Sequence, residues 1–375
     1  MPTAPVDREG TVLYYKDSGR PRNHQRDYTT VILIHGTYYN GAAFQNLLPL
    51  ASDHNIRIIT LNQRDYTGST PLNDLELAKL TSEDPGERLQ YLKDRAKELA
   101  AFVIWLIQNE NLLPIQAQTG DSGAGQAQGG VSIMGWSSAN HQILPLLAYG
   151  SDLLTSEERT LLGRYLRSYV MYDAPHYATG MPVPKRGDTY FSPIDDPSFK
   201  PSQLFEAFPL WVSSYYSHSP DALNALPVPD SAWSPERRAS VNDNDILQAL
   251  SAEPDKSIAP TTFRIPAEAT ESFEAVGRSH IPVLLLGEST YHKVLERALF
   301  GTAASDAIVS CGRSIPICVW SAWKVYDLIG SRSIDRGAVD AGTKLPVRFH
   351  LWREFNHFPH WDHPEQLIRS LAEVV

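Results

Sequence analysis

Short apolar runs alternate with longer amphipathic segments along most of the chain. Apolar runs of about four to eight residues are typical of strands buried in a parallel sheet. We predict strands at residues 12–17, 31–34, 56–61, 131–134, 168–172, 282–286 and 347–352. Helical patterns lie between several of these runs, at residues 41–50, 87–111, 138–149 and 364–374. This alternation predicts an α/β fold with a doubly wound, mostly parallel sheet.

One long region interrupts the alternation. Residues 175–275 are rich in proline, serine and aromatic residues and lack the buried-strand pattern, although helix-like pieces such as LFEAFPLWVSSYY occur. We interpret this region as a mainly helical lid, or cap, inserted into the sheet domain. The predicted core then consists of residues 1–174 and 276–375.

Composition narrows the class of protein. The 375 residues are 42% hydrophobic, which is typical of a globular chain, and the formal net charge is −10. No basic cluster offers the footprint that nucleic-acid binding requires, so we expect no nucleic-acid partner. The N-terminal residues lack the apolar centre of a signal peptide, and no apolar run has the length of a membrane span. We therefore expect a cytoplasmic location.

The two cysteines, Cys311 and Cys318, are too few for a disulfide framework or a structural zinc site. We expect both to be buried as small hydrophobic side chains rather than joined in a disulfide.

The stretch GWSSA at residues 135–139 follows an apolar run and precedes a helical pattern. A nucleophilic serine needs a sharp turn between strand and helix, with small residues two positions to either side. Ser137 meets this requirement, since Gly135 and Ala139 flank it at those distances. The alternative is an ordinary turn in which serine caps the helix.

A second turn is predicted where His35, Gly36 and Thr37 follow the apolar run at residues 31–34. Glycine permits a turn there, and the next backbone N–H can then point at a developing oxyanion. We expect the backbone N–H groups of Thr37 and Ser138 to be the two oxyanion donors. We interpret His35 itself as structural.

Three histidines, His357, His360 and His363, lie at a spacing of three in a loop near the C-terminus, after the last predicted strand. A general base for serine must be placed on such a loop, at the carboxyl edge of the sheet. The alternative is a metal site, but zinc also favours carboxylate or thiol ligands in a closed arrangement. We predict neither a metal nor a cofactor.

Taken together, these motifs resemble the α/β-hydrolase superfamily, in the capped branch that includes fungal esterase-like and epoxide-hydrolase-like proteins. The resemblance rests on HGT at 35–37, NQRDYTGS at 62–69, GWSSA at 135–139 and NHFPHWDHPE at 356–365, in that order along the chain. It implies an α/β-hydrolase fold with an inserted lid. It also implies that His357, which matches the family's histidine before Phe-x-x-Trp, is the general base.

The family's usual acid is missing from this sequence. Most relatives carry Asp in a G-x-x-D pattern after the seventh strand, whereas LLLGEST places Thr290 at that position. Two substitutes are present: Glu288 in the same segment, and Asp173 at the end of the sixth predicted strand, a position that some lipase-like members use. We favour Asp173, for which the alternative is a turn residue at the entry to the lid.

These expectations predict a serine hydrolase that cleaves an ester, thioester or lactone of a small hydrophobic, polyketide-like metabolite through an acyl-enzyme on Ser137. We expect substrate contacts from Trp136 and Tyr38, which adjoin the nucleophile and the oxyanion donor in sequence, and from Trp211 and Tyr215 of the predicted lid. Two alternatives stay open: a non-hydrolytic cyclase or lyase of secondary metabolism, and a ligand-binding protein with a relic triad. The sequence leaves the oligomeric state open.

Overall fold

The computed structural model describes residues 2–22, 27–116, 128–226, 241–272, 276–301, 306–335 and 347–375. Ten strands lie in these ranges: β1 Thr3–Pro5, β2 Val12–Asp17, β3 Thr29–Ile34, β4 Ile56–Leu61, β5 Val131–Trp136, β6 Leu166–Tyr172, β7 Lys185–Arg186, β8 Thr189–Tyr190, β9 Asp306–Cys311 and β10 Val347–Trp352.

Eight strands form one sheet in the order β1-β2-β4-β3-β5-β6-β9-β10. The pairs from β4 to β10 are parallel, whereas β2 is antiparallel to both β1 and β4. Strands β7 and β8 form a separate antiparallel pair. The sheet is therefore mostly parallel, as the apolar pattern predicted, with an antiparallel edge.

The central strands are buried on both faces. Every residue of β3, β4 and β5 is buried, because helices cover the sheet from both sides. The long helix that follows β4 shows why these segments are helical: Asp84 caps it, Pro85 occupies its first turn, and a stripe that includes Leu92, Leu99 and Leu106 faces the core.

The helices fall between the strands. The α-helices are α1 Asp74–Thr81, α2 Pro85–Asn109, α3 Asn140–Leu153, α4 Ser156–Gly163, α5 His176–Thr179, α6 Pro201–Val212, α7 Pro220–Ala225, α8 Asp243–Ala249, α9 His280–Leu284, α10 Glu288–Gly301, α11 Pro316–Asp335, α12 Pro359–Asp362 and α13 Pro364–Val374. The 3-10 helices are η1 Gly41–His54, η2 Ser137–Ala139, η3 Thr261–Arg264 and η4 Ala267–Ala269.

The prediction of a strand at residues 282–286 is wrong. Residues His280–Leu284 form the short helix α9, and Leu285 is 60% exposed. A short apolar run fits a buried helix turn as well as a strand, so the pattern could not separate the two. The strand beside β6 is instead β9, in which Asp306 and Ser310 interrupt the apolar run.

The predicted lid region follows β6 and contains α5, β7, β8 and the helices from α6 to η4. Its residues 227–240 and 273–275 lie outside the described part of the chain. An isolated antiparallel bridge between Tyr39 and Thr270 joins the end of this region to the loop after β3. Among the described helices, none combines the length and apolar character needed to cross a bilayer.

Candidate active site

Ser137 lies in a sharp turn where β5 ends and η2 begins. Its φ angle is 58°, in the left-handed region that non-glycine residues rarely adopt. The side-chain amide of Asn140 stabilises the turn by donating to the carbonyl groups of Gly135, at 2.9 Å, and Ser137, at 2.6 Å. The side chain of Ser137 is half-buried, so its hydroxyl is not sealed in the core.

Small residues allow two close approaches around this turn. A Cβ atom added to Gly135 would lie 3.2 Å from the backbone of Ala139 and Asn140. A Cβ atom added to Gly36 would lie 2.8 Å from Cβ and 3.3 Å from Oγ of Ser137. The loop after β3 therefore packs directly against the serine.

The two expected oxyanion donors lie side by side. The hydroxyls of Thr37 and Ser138 are 2.8 Å apart, and both residues are buried. Ser138 is in the first turn of η2, where backbone N–H groups lack an acceptor within the helix. The two backbone segments are thus close enough to direct their N–H groups to one site beside Ser137.

His357 and Asp173 form a buried pair. Nδ1 of His357 donates to Oδ2 of Asp173 at 2.5 Å, and both side chains are at most 1% exposed. Asp173 directly follows β6, and its φ angle is 48°. Since Trp136 pairs with Tyr172 in the β5–β6 register, Ser137 and Asp173 leave the sheet at adjacent positions on the same edge.

Further donors surround the Asp173 carboxylate. The backbone N–H of Cys311 donates to Oδ1 at 3.0 Å, and the hydroxyl of Ser314 donates to Oδ2. Ser314 Oγ is also 3.3 Å from Nδ1 of His357. Because donors from two elements meet it, the carboxylate is fixed in orientation and its buried negative charge is compensated.

The far side of the histidine ring is unpaired. Nε2 of His357 is buried, and within the described residues it has no hydrogen-bond partner. The hydroxyl of Ser137 is therefore not hydrogen-bonded to it in this structure. Catalytic hydrogen bonds are often longer without substrate and tighten in the complex, so this geometry is compatible with a serine–histidine pair.

Glu288, the other candidate acid, begins α10 and has an exposed side chain. It lies beside an open cleft of about 680 Å³ that Met181, His292 and Lys324 also line. Thr290, at the position of the family's usual acid, belongs to the same helix. Because residues 282–286 are not a strand, neither side chain is on a loop at the carboxyl edge of the sheet.

The three histidines of the C-terminal loop have separate surroundings. His360 is buried, with Nδ1 3.3 Å from the hydroxyl of Tyr172, and burial together with His357 lowers its pKa well below the ordinary value. His363 stacks on Phe355. The three histidine side chains therefore do not converge on a single point.

Within the part of the chain that the structure describes, one group of three side chains has the composition of a metal site. Asp173, Cys318 and His357 place their ligand atoms within 4.8 Å of one another. However, the acid and the histidine bind each other directly, whereas ligand atoms around a tetrahedral zinc ion are about 3.3 Å apart. Cys318 Sγ donates to the carbonyl of Asp173 at 3.1 Å. These contacts fit a hydrogen-bond network better than a metal site.

His35 is fully buried and has a structural environment. Nδ1 donates to the carbonyl of Gly36 at 2.8 Å, and Nε2 accepts from the backbone N–H of Gln63 at 3.0 Å. Burial lowers its pKa to about 3, so the ring is neutral near pH 7. The ring therefore links the loop after β3 to the loop after β4.

The four expected substrate contacts differ in accessibility. Trp136 is 1% exposed, and its indole N–H donates to the carbonyl of His357 at 3.0 Å. Tyr215 is 5% exposed, and its hydroxyl donates to Asp362 at 2.8 Å.

The other two expected contacts are partly exposed. Trp211 is half-buried, and its indole N–H donates to the carbonyl of Phe191. Tyr38 is half-buried, adjoins Thr37 and has a φ angle of 76°.

Trp136 and Tyr215 are thus buried with partners for their polar atoms, as aromatic side chains in the core require, and their substrate contacts stay a prediction. Trp136 stabilises the backbone of the histidine loop. Tyr215 joins the predicted lid region to that same loop.

Sequence reasoning missed three residues near the site. Ser314 and Cys318 follow β9, and no apolar pattern marked that strand. Both cysteines are free and buried, as predicted, but the contact between Cys318 and Asp173 was not expected. Tyr66 lies within the NQRDYTGS segment, and its hydroxyl contacts the loop after β3. That motif was the one available signal for Tyr66.

Comparison with solved structures identifies the fold. The protein Rv0554 from Mycobacterium tuberculosis matches with a TM-score of 0.50 at 12% identity, over 99% of this chain and 97% of that chain. An esterase from Exiguobacterium antarcticum matches with a TM-score of 0.49 at 14% identity, over 100% and 98%. A thermophilic esterase from Thermogutta terrifontis gives 0.47 at 10% identity, over 100% and 97%. The chain has the α/β-hydrolase fold.

No protein-family model matches the chain, and no curated protein sequence matches it.

Proposed function

We propose that this protein is a serine hydrolase that cleaves a carboxylic ester, thioester or lactone through an acyl-enzyme on Ser137. One arrangement carries the proposal: the strained turn of Ser137 and the buried His357–Asp173 pair lie at the same edge of the sheet. A nucleophile, a candidate base and a group that orients the base are the three parts that acyl transfer requires.

In the proposed mechanism, Nε2 of His357 accepts the proton of Ser137 as Oγ attacks the substrate carbonyl. Asp173, bonded to Nδ1, stabilises the resulting imidazolium. The backbone N–H groups of Thr37 and Ser138 bind the negative oxygen of the tetrahedral intermediate. His357 then donates the proton to the leaving alcohol or thiol. Water, activated by the same histidine, releases the acid and restores Ser137.

The proposed acid follows β6, with Glu288 kept as the less favoured alternative. The Asp173 carboxylate binds His357, whereas Glu288 is exposed at the start of α10. We also place the protein in the capped branch of the fold, with residues 175–275 as a lid. The contacts of Tyr215 with Asp362 and of Thr270 with Tyr39 support this role, since they join that region to two loops of the site.

The proposed substrate is small and hydrophobic, of the polyketide-like kind. Tyr38 and Trp211 are the candidate contacts that retain partial exposure. If the acyl group binds against apolar walls, each additional methylene contributes roughly 0.8 kcal/mol, so catalytic efficiency should rise along a series of longer aryl esters. A preference for acetate throughout the series would contradict this substrate class.

The test of the proposed function combines covalent labelling with turnover. A fluorophosphonate probe should label the wild-type protein on Ser137, and a generic aryl ester should be hydrolysed. Ser137→Ala should lose both activities, whereas Ser138→Ala retains the backbone N–H and should keep labelling. A wild-type protein that is neither labelled nor active would reject the proposal.

One observation favours a second candidate, a cyclase or lyase in which His357 acts as base without an acyl-enzyme. Nε2 of His357 is buried without a hydrogen bond to Ser137. In that case Ser137→Ala would retain conversion of the natural substrate, and His357→Gln would lose it. A ligand-binding protein with a relic triad would show neither labelling nor turnover in any variant.

A further inference from the structure

The backbone of the 36–40 loop is anchored by a tyrosine from the neighbouring loop. The N–H of Tyr38 donates to the hydroxyl of Tyr66 at 2.9 Å. The same hydroxyl lies 3.4 Å from the carbonyl of Gly36, to which it donates. One side chain therefore contacts the backbone on both sides of Thr37.

This contact occupies one backbone donor of the loop. Because the Tyr38 N–H is taken by Tyr66, it is not available to a substrate oxygen. Thr37 N–H makes no hydrogen bond to the described residues. The preceding Gly36 packs on the side chain of Ser137. The N–H of Thr37, next to Gly36, therefore remains available to point toward the reacting carbonyl.

The loop needs such an anchor because its backbone is strained. Tyr38 has a φ angle of 76°, a conformation that costs a non-glycine residue free energy and persists only when neighbouring contacts stabilise it. The predicted lid region provides a second set of contacts: Glu271 N–H donates to the carbonyl of Tyr38 at 2.9 Å, and Asn40 N–H donates to Ala269 at 3.0 Å. Tyr66 is the anchor from the sheet domain.

Tyr66 is itself held rigidly. Its side chain is 1% exposed and its ring packs between His35, at a centroid distance of 4.2 Å, and His280, at 4.5 Å. Burial raises the pKa of its hydroxyl, so the group stays protonated and both accepts and donates. A rigid ring places the hydroxyl at a fixed position beneath the loop.

We propose that Tyr66 is a positioning residue for the oxyanion site: its hydroxyl fixes the Tyr38 peptide, and this fixes the direction of the Thr37 N–H. The proposal rests on the acyl-transfer function proposed above. It adds a residue that touches neither the nucleophile nor the substrate. Its effect acts on the transition state, since the negative oxygen develops only there.

The test uses Tyr66→Phe, which removes one hydroxyl and retains the ring. Tyr15→Phe is the matched control: Tyr15 is also buried and donates a 2.8 Å hydrogen bond, to Glu110, which caps the end of α2. For an aryl ester, we expect Tyr66→Phe to lower kcat by about tenfold with KM changed less than about twofold, because loss of transition-state stabilisation alone has this signature. Tyr15→Phe should leave both constants within about twofold of the wild type.

Amide hydrogen exchange gives a readout that does not depend on activity. The Tyr38 amide should exchange slowly in the wild type and in Tyr15→Phe, and at least about tenfold faster in Tyr66→Phe. Fast exchange in the wild type would overturn the proposal even if Tyr66→Phe failed to fold.

The outcomes separate this proposal from the function on which it rests. An active, labelled wild type with unchanged kcat in Tyr66→Phe would overturn the role of Tyr66 alone. Equal losses of kcat in Tyr66→Phe and Tyr15→Phe would indicate general destabilisation, and would also overturn the role of Tyr66. A wild type without labelling or turnover would overturn the proposed function together with this role.

Discussion

Nδ1 of His357 lies 2.5 Å from Oδ2 of Asp173, although 184 residues separate the two along the chain. Asp173 follows β6 and His357 follows β10, and the two strands are separated in the sheet by β9 alone. The loop after β9 contributes Ser314, which donates to the same carboxylate. The carboxylate is thus held by residues that follow the last two strands of the sheet.

We expect Ser137→Ala to abolish ester turnover while the protein stays folded, because the variant keeps Cβ and removes only a hydroxyl that makes no hydrogen bond to the described residues. Losing the nucleophile normally costs several orders of magnitude in rate. Turnover should be measured together with the unfolding midpoint. Retention of more than about a tenth of the wild-type activity would show that Ser137 is not a covalent nucleophile.

Exchanging the two candidate acids for amides should separate their roles. Asp173→Asn keeps the shape of the side chain but removes the charge that orients His357, so kcat should fall by a factor on the order of ten thousand. Glu288→Gln changes an exposed side chain and should have a mild effect. A larger loss in Glu288→Gln than in Asp173→Asn would transfer the role of the acid to Glu288.

Adding a methyl group at Gly36 should displace the nucleophile. The new Cβ atom would lie 2.8 Å from Cβ of Ser137, so one of the two segments must shift. A displacement of about 1 Å at a reacting group can cost on the order of a hundredfold in rate. The control is Gly163→Ala at the exposed end of α4, where an added Cβ meets no atom within 4 Å.

The fluorophosphonate labelling rates of Gly36→Ala and Gly163→Ala should be compared at equal concentration of folded protein. Gly36→Ala should be labelled much more slowly than Gly163→Ala. Equal rates would mean that the 36–40 loop does not constrain Ser137.

Buried histidines should make stability depend on pH. Burial lowers the pKa of His35 and His141 to about 3 and that of His280 to about 4, whereas an unfolded histidine has a pKa of about 6.5. Between these values the unfolded chain binds more protons than the native one. The free energy of unfolding is therefore highest above about pH 6.5 and falls as the pH is lowered toward 4, by up to about 1.4 kcal/mol per pH unit for each histidine.

Urea unfolding at several pH values between 4.5 and 7.5 measures this dependence. His280→Gln should reduce the slope by about one proton, since it removes one of the buried histidines that take up a proton on unfolding. His292→Gln serves as the control, because that side chain is 38% exposed. An unchanged slope in His280→Gln would show that His280 does not contribute to the acid sensitivity.

Much of the fold followed from the pattern of side chains alone. The strands β2, β4 and β10 and the helix α13 were predicted at their observed bounds, because alternating and continuous apolar positions record which faces are buried. The turn at Ser137 could also be predicted from local sequence, because it depends on the small residues around the serine. The sequence pattern did not predict strand β9, because its polar residues leave an apolar run too short to be recognised as a strand.

The sequence by itself determined which side chains were available: a serine in a sharp turn, a histidine after the last strand, and two candidate carboxylates. Only the tertiary structure decided which of these meet, because the order of strands in a sheet depends on pairing between distant segments and not on local pattern. That order brings Asp173 to His357, leaves Glu288 on the surface and puts the hydroxyl of Tyr66 beneath the 36–40 loop. Contacts of this kind depend on distances of a few ångströms between loops, which packing of the whole sheet and its helices sets.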